Sequence, residues 1–446
     1  MRPLQIICLR LGRTVKKPAA VFLACLLWAL LPGAWGAAAP PAVPCSASHV
    51  PRSATGSDGP DNQSWPQKRA AATDALKEVD ELLKQASQIT SLPIRHPVNS
   101  AIAGRQEIHS FIAERVKETT GSDRLHAQEM ALKKFGLLPA DFALGPSLIS
   151  LLSEQAAAFY DPRRRQIFIA DWTPISLQRP AIVHELTHAL QDQQVGLDGF
   201  LEAPELNSDE QMARSAMVEG TAVLAMMEYM LSGAGLKPGA LPNLDETMAS
   251  ATAAEINKFP AFAAAPLYLR ETLLFPYTAG MQYVRALVRK QGKAAYLAAL
   301  KNPPRSTAEV LHPDAPAPAV PTGLQPPDVP PLPPGYRLLG KDVLGELDVR
   351  ILLKQYLGEK AAGQIAPGWR GLRFAVYENP QTGAAFLVHR SAWKDPQAAG
   401  SFAEAYRRIL IAKGEKDARV EVSGATVAVW EGVAADPQPP GSRSRQ

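Results

Sequence analysis

Cysteine is nearly missing from this 446-residue chain, with one residue each at positions 8, 25 and 45. Cys8 and Cys25 fall in an N-terminal segment that reads as a removable signal, so Cys45 would stand alone in the mature chain. That excludes an intramolecular disulfide and a cysteine-based metal cluster. A strong excess of one charge is also missing: 47 basic residues face 43 acidic ones, for a net charge of +4. No basic run interleaved with aromatics follows the N-terminus, which argues against a nucleic-acid partner. No internal repeat is present, which removes solenoid and propeller architectures.

What remains is a chain longer than one usual domain and 46% hydrophobic, enough for sizeable cores. Arg2, Arg10, Arg13, Lys16 and Lys17 precede an apolar stretch from Ala19 to Leu31, broken by Pro32 and Gly33 and followed by small residues. This is the pattern of a cleaved export signal over residues 1–36, implying a periplasmic or extracellular protein. Contact with a membrane is expected only if that signal stays uncleaved.

Residues 37–67 form an Ala-, Pro-, Ser- and Gly-rich leader. Helical periodicity follows at 68–89, 105–116, 124–135 and 147–158. Phe159–Pro162 followed by Arg163–Arg165 reads as a turn, and Gln166–Ala170 as a short strand, either an edge along which an extended substrate could lie or an ordinary structural strand. Residues 208–231 read as a strong helix, and 267–291 as a helical stretch interrupted around Pro276 and Gly280. Proline dominates 313–335, a stiff linker, and 336–432 reads as a small α+β unit before a disordered tail at 433–446. The expected fold class is α+β: a predominantly helical, zincin-like catalytic domain over 68–312 with a short edge sheet, joined to that C-terminal unit.

The chemistry centres on His184-Glu185-Leu186-Thr187-His188. Histidines four residues apart project from one helix face and suit two ligands of a tetrahedral zinc, with Glu185 placed to act on a water beside it. Pro180 fits the first helical position, Gly196 the end, and Ile182, Leu186 and Leu190 a buried stripe. The competing reading is a pair of surface histidines on an amphipathic helix.

A third ligand must come from elsewhere. Position 194 is Gln, which excludes the metzincin spacing HExxHxxGxxH. Glu219 is the best carboxylate because it stands in an apolar helix, where an unpaired charge is costly. Its alternative is an ion pair with Arg214; Glu202, Glu205, Asp209, Glu210 and Glu228 are weaker candidates. Gly220 and Ala222 would let this helix approach the motif helix. Tyr277, His312 and Tyr160 are candidate donors to a developing oxyanion, each equally readable as a core or turn residue. Asp192 is a candidate to orient a ligand imidazole.

The segments FYDP (159–162), HELTHALQDQ (184–193), VEGTA (218–222), FPYTAG (275–280) and PPRSTAEVLHP (303–313) resemble a family of largely uncharacterised bacterial zinc metallopeptidase-like proteins. The likeness spans roughly residues 95–312 and extends loosely to Gly345-Glu346 and Gly368-Trp369. It implies a gluzincin-like site with His184, His188 and Glu219 holding Zn2+ and Glu185 as general base. Val223 stands where the gluzincin pattern has aspartate, so the surroundings of the third ligand depart from that pattern. The expectation is therefore an exported zinc metallopeptidase acting on a peptide or protein substrate. A zinc-bound but inactive binding protein, or a zinc hydrolase of a non-peptide amide or ester, stands as the alternative. Oligomeric state is not legible.

Overall fold

A computed structural model describes residues 64–233, 235, 259–318, 320–329 and 334–432. The expected signal at 1–36, most of the leader and the tail at 433–446 lie outside the described residues. Among the described residues, no helix is long and apolar enough to cross a membrane.

The fold is α+β. The N-terminal part is mostly helical and holds one small sheet of three strands, β1 (Asn99–Ala103), β2 (Ala158–Asp161) and β3 (Gln166–Ala170), in the order β1-β3-β2. β1 runs parallel to β3 and β2 antiparallel. Two expectations change here. Phe159, Tyr160 and Asp161 are strand residues paired with Phe168, Ile167 and Gln166, so the expected turn shortens to residues 162–165, where Arg165 takes φ 51°. Stacking of Phe159 between Phe111 and Phe168 extends the first half of this segment, while Asp161 Oδ1, accepting from Arg163 N and Arg164 N, still opens the turn at Pro162. β3 is the central strand, so it has no free edge for a substrate.

Helices expected at 105–116 and 124–135 are one, Arg105–Phe135, closed by Gly136 in the left-handed region. The motif helix Ile175–Val195 begins before Pro180, which therefore sits inside it and removes one helical hydrogen bond. Gly196, at φ 68°, ends it. The helix Ser208–Gly233 packs on the motif helix and on Leu267–Gln291.

Leu267–Gln291 is not interrupted; it continues through Pro276 and Gly280. Gly280 serves packing. A Cβ built there would lie 2.0 Å from the Ala216 carbonyl oxygen, and one on Gly220 would lie 2.2 Å from the Gly280 backbone. Gly220 thus admits the 267–291 helix, not the motif helix.

The C-terminal sheet is antiparallel, in the order β4-β5-β6-β8-β7: β4 (Arg337–Val343), β5 (Trp369–Glu378), β6 (Ala385–Trp393), β7 (Ala418–Ser423) and β8 (Thr426–Glu431). A turn at 379–383 joins β5 to β6, and the helices Glu346–Leu357 and Pro396–Lys413 belong to the same unit. β7 and β8 form a hairpin turning at Gly424, φ 55°. Part of the proline-rich segment lies on the sheet: Leu324 is buried, and Asp328 accepts a hydrogen bond from the Trp430 indole.

One apolar cluster runs from Ala72 to Val429, so the two sheets share a core. The C-terminal unit also docks on the first turn of Ser208–Gly233. Asp209 Oδ1 accepts from Thr307 N (2.9 Å) and Thr307 Oγ1 (2.6 Å), and Thr307 Oγ1 accepts from Leu347 N (3.2 Å). Asp348 caps the next helix through Gly345 N and accepts from the Tyr268 hydroxyl.

Burial raises the Asp209 carboxyl to about 7, against the lowering by the Thr307 bonds. Burial likewise raises Asp348 to about 6. Both lie above their ordinary value of 3.8, so the stability they contribute is full at low pH and lost as pH rises through 6 and 7. Unfolding free energy in urea is expected to fall from pH 5 to pH 8, with a shallower fall in Asp209→Asn; an equal slope in both would refute the assignment.

For the helix crossing, Gly220→Ala or Gly280→Ala is expected to cost about 1–3 kcal/mol or more through overpacking. Gly233→Ala, which meets nothing within 4 Å, should be neutral or stabilising. Thermal melts of the three variants decide it.

Candidate metal centre

Every residue of the motif helix from Pro180 to Gln191 is buried, so the histidines do not lie on the solvated side of an amphipathic helix. A helix buried all round must satisfy its polar groups internally. Thr187 donates to the Val183 carbonyl. Gln178 donates to the Lys68 and Thr173 carbonyls. Gln193 accepts from Arg95 N and His96 N and donates to the His96 carbonyl.

His184 and His188 turn one ring nitrogen each toward the same point. Their Nε2 atoms stand 3.1 Å apart, and Glu219 Oε2 lies 3.3 Å from each. Three ligands about 2.0–2.1 Å from a tetrahedral ion stand roughly 3.3–3.4 Å from one another, close to this near-equilateral triangle. One shared proton joins two of these atoms at a time, whereas an ion joins all three. His184 Nδ1, on the far side of the ring from the triangle, is buried with no hydrogen-bond partner among the described residues. His184, His188 and Glu219 form a group able to hold a metal ion.

Glu219 is not spent on Arg214. That guanidinium binds Glu210 at 2.8 Å and the Phe200 carbonyl at 2.9 Å, and stacks over the Phe200 ring. Burial pushes the Glu219 carboxyl up, but the charge and hydrogen bonds of the two imidazoles outweigh it and bring it down to about 2. Burial also pushes the His188 imidazole down, and the Glu219 and Glu185 carboxylates turn this into a net rise. For His184 burial prevails and the shift is downward. Glu185 is itself fully buried and close enough to act on His188 electrostatically.

The orienting partner of His188 is Gln191, which sequence reasoning missed. His188 Nδ1 meets Gln191 Oε1 at 2.9 Å, and Gln191 Nε2 donates to the Val218 carbonyl at 3.1 Å. One carboxamide thus fixes the ring and ties it to the residue before Glu219. Its signal was available, since position 191 is three residues past His188 on the same helix face. Asp192, the expected partner, instead accepts from the Tyr160 hydroxyl (2.9 Å) and from Leu197 N (2.8 Å), bracing the end of the helix. Burial and the Asp192 charge hold the Tyr160 hydroxyl proton firmly in place.

Residues 336–437 match a domain of unknown function, DUF8575, which begins where the proline-rich segment ends. No curated protein and no solved structure matches the chain. The matched region holds none of the three candidate ligands.

Tyr277 is buried on the helix that crosses Ser208–Gly233, one turn before Gly280. His312 Nε2 meets the buried Glu346 carboxylate at 2.9 Å, beside the contact that docks the C-terminal unit. The structure brings Glu185 to the histidines and engages His312 with Glu346.

Dialysed against zinc, the full chain is expected to retain one ion by elemental analysis, and Glu219→Ala or His188→Ala none. Gln191→Ala should weaken retention against a chelator by roughly 10–100-fold; unchanged retention would remove Gln191 from this role.

Proposed function

We propose that this chain is an exported, zinc-dependent peptidase of gluzincin type. The observation that carries the reading is the Nε2–Nε2–Oε2 triangle with the buried Glu185 carboxylate beside it. A purely structural zinc needs no such neighbour. The resemblance of the motif segments to bacterial metallopeptidase-like proteins, and the basic and apolar N-terminal pattern, point the same way.

His184, His188 and Glu219 would hold the ion, leaving a fourth tetrahedral position open. Zinc supplies Lewis acidity there, acidifying water and drawing electron density from a carbonyl. Glu185 accepts the proton of the attacking water and returns it to the departing amine, so the peptide C–N bond breaks with one water consumed. Gln191 keeps the His188 ring in the tautomer whose Nε2 is free to bind. Tyr277 and His312 are the candidate donors to the developing oxyanion.

Glu185→Gln is expected to lower cleavage of a complex peptide mixture by about 10²–10⁴-fold while zinc content stays at one per chain. Mass spectrometry of the products, with the variant run alongside, reads both the activity and the preference. Equal turnover by the variant would sink the mechanism. Absence of cuts from the wild type would favour a zinc-bound binding protein.

A further inference from the structure

A cavity of about 640 Å³ opens between the two parts of the chain. One wall is the helix Ser208–Gly233 through Ser208, Met212 and Ser215; the other includes β4 at Lys341 and the helix Arg105–Phe135 at Gln128. At 100° per residue, Ser208, Met212 and Ser215 lie within about 40° of Glu219 around their helix, and Ser215 is about 6 Å from it along the axis. The cavity therefore follows the helix stripe that leads to the candidate metal centre. Of the three candidate ligands, Glu219 keeps the most exposure, 10% of its side chain against 1% and 0% for the histidines.

β4 is an edge strand, paired on one side with β5. Leu344 N donates to Leu372 O, which sets the alternation: Leu344 and Asp342 face β5, while Lys341 turns its N–H and C=O to the free side. Val343, of the same parity, has its outward N–H taken by Asp342 Oδ1, and the same carboxylate accepts from Ser208 N and Oγ across the groove, so the outward backbone open to an added strand lies at Lys341 and before it. An edge strand beside a groove accepts one kind of partner best, another extended chain.

We infer that the groove between β4 and the Glu219 helix binds an extended, unfolded polypeptide segment as an added strand on β4 and leads it toward Glu219. The inference rests on the peptidase reading above. Recognition is by main chain, so sequence preference comes from alternate side chains: those facing Leu206 and Met212 are favoured when apolar. The DUF8575 region thereby acquires a role as one wall of the substrate site.

The test uses the full zinc-loaded chain and reduced, carboxymethylated casein as an unfolded polypeptide. Lys341→Pro removes the outward N–H from an edge position where proline is tolerated, and should raise KM about tenfold, the effect of one main-chain hydrogen bond, with kcat little changed. Lys341→Ala keeps that N–H and should raise KM far less than Lys341→Pro. Melting curves matching wild type exclude misfolding. In parallel, p-benzoylphenylalanine in place of Lys341 should form photo-adducts with casein whether or not turnover occurs. Casein cut with the same KM by wild type and Lys341→Pro, without adducts, overturns the groove and leaves the peptidase reading standing. Adducts without cutting support the groove and overturn the peptidase reading. Adducts only to the chain's own tail or to a second copy overturn the inference.

Discussion

The close crossing of two helices at Gly220 and Gly280 sets where Glu219 stands. A ligand carboxylate must meet two imidazoles from another helix to within a few tenths of an ångström, and side-chain flexibility alone does not supply that tolerance. Backbone packed against backbone does, because neither helix can slide without a clash. The Gln191 bond to the Val218 carbonyl holds the same helix from the opposite direction. Glu219 is therefore positioned by two contacts that flank it in sequence, Val218 and Gly220, while its own oxygen remains directed at the histidines.

The same helix carries a second attachment ten residues earlier. Asp209 joins Thr307 and, through it, Leu347 at the start of the C-terminal unit, so the segment PPRSTAEVLHP works as a clasp. Ser306 caps its short helix, Thr307 binds Asp209, and His312 pairs with Glu346. Candidate chemistry and domain docking thus share one helix at two heights.

Legibility in the sequence followed the range of the interactions. His184, Glu185 and His188 could be read because a local repeat on one helix fixes their relation. Glu219 could be read because a carboxylate in an apolar helix demands a partner, although only the structure shows Arg214 occupied by Glu210. Asp192 and Gln191 differ by one position, and a one-residue step turns a side chain by about 100°, so charge was a poorer guide there than helical phase. Pro276, Gly280 and Pro180 carry local breaking signals, yet packing keeps their helices continuous. β1 and β4 escaped notice for a different reason: each is a short edge strand defined mainly by its partner, a long-range fact that periodicity does not record.

Gly345 precedes the helix Glu346–Leu357, and a Cβ there would fall 1.8 Å from Asp209 Oδ1. The join between the DUF8575 region and the rest is thus fitted to less than the width of a methyl group. Such a seam limits modularity. The C-terminal module cannot be exchanged for a different one, or shed at the proline-rich segment, without rebuilding the first turn of the helix that carries Glu219. Loss of this module would uncover Asp209 on the side of Gly345 while leaving its two bonds to Thr307 in place.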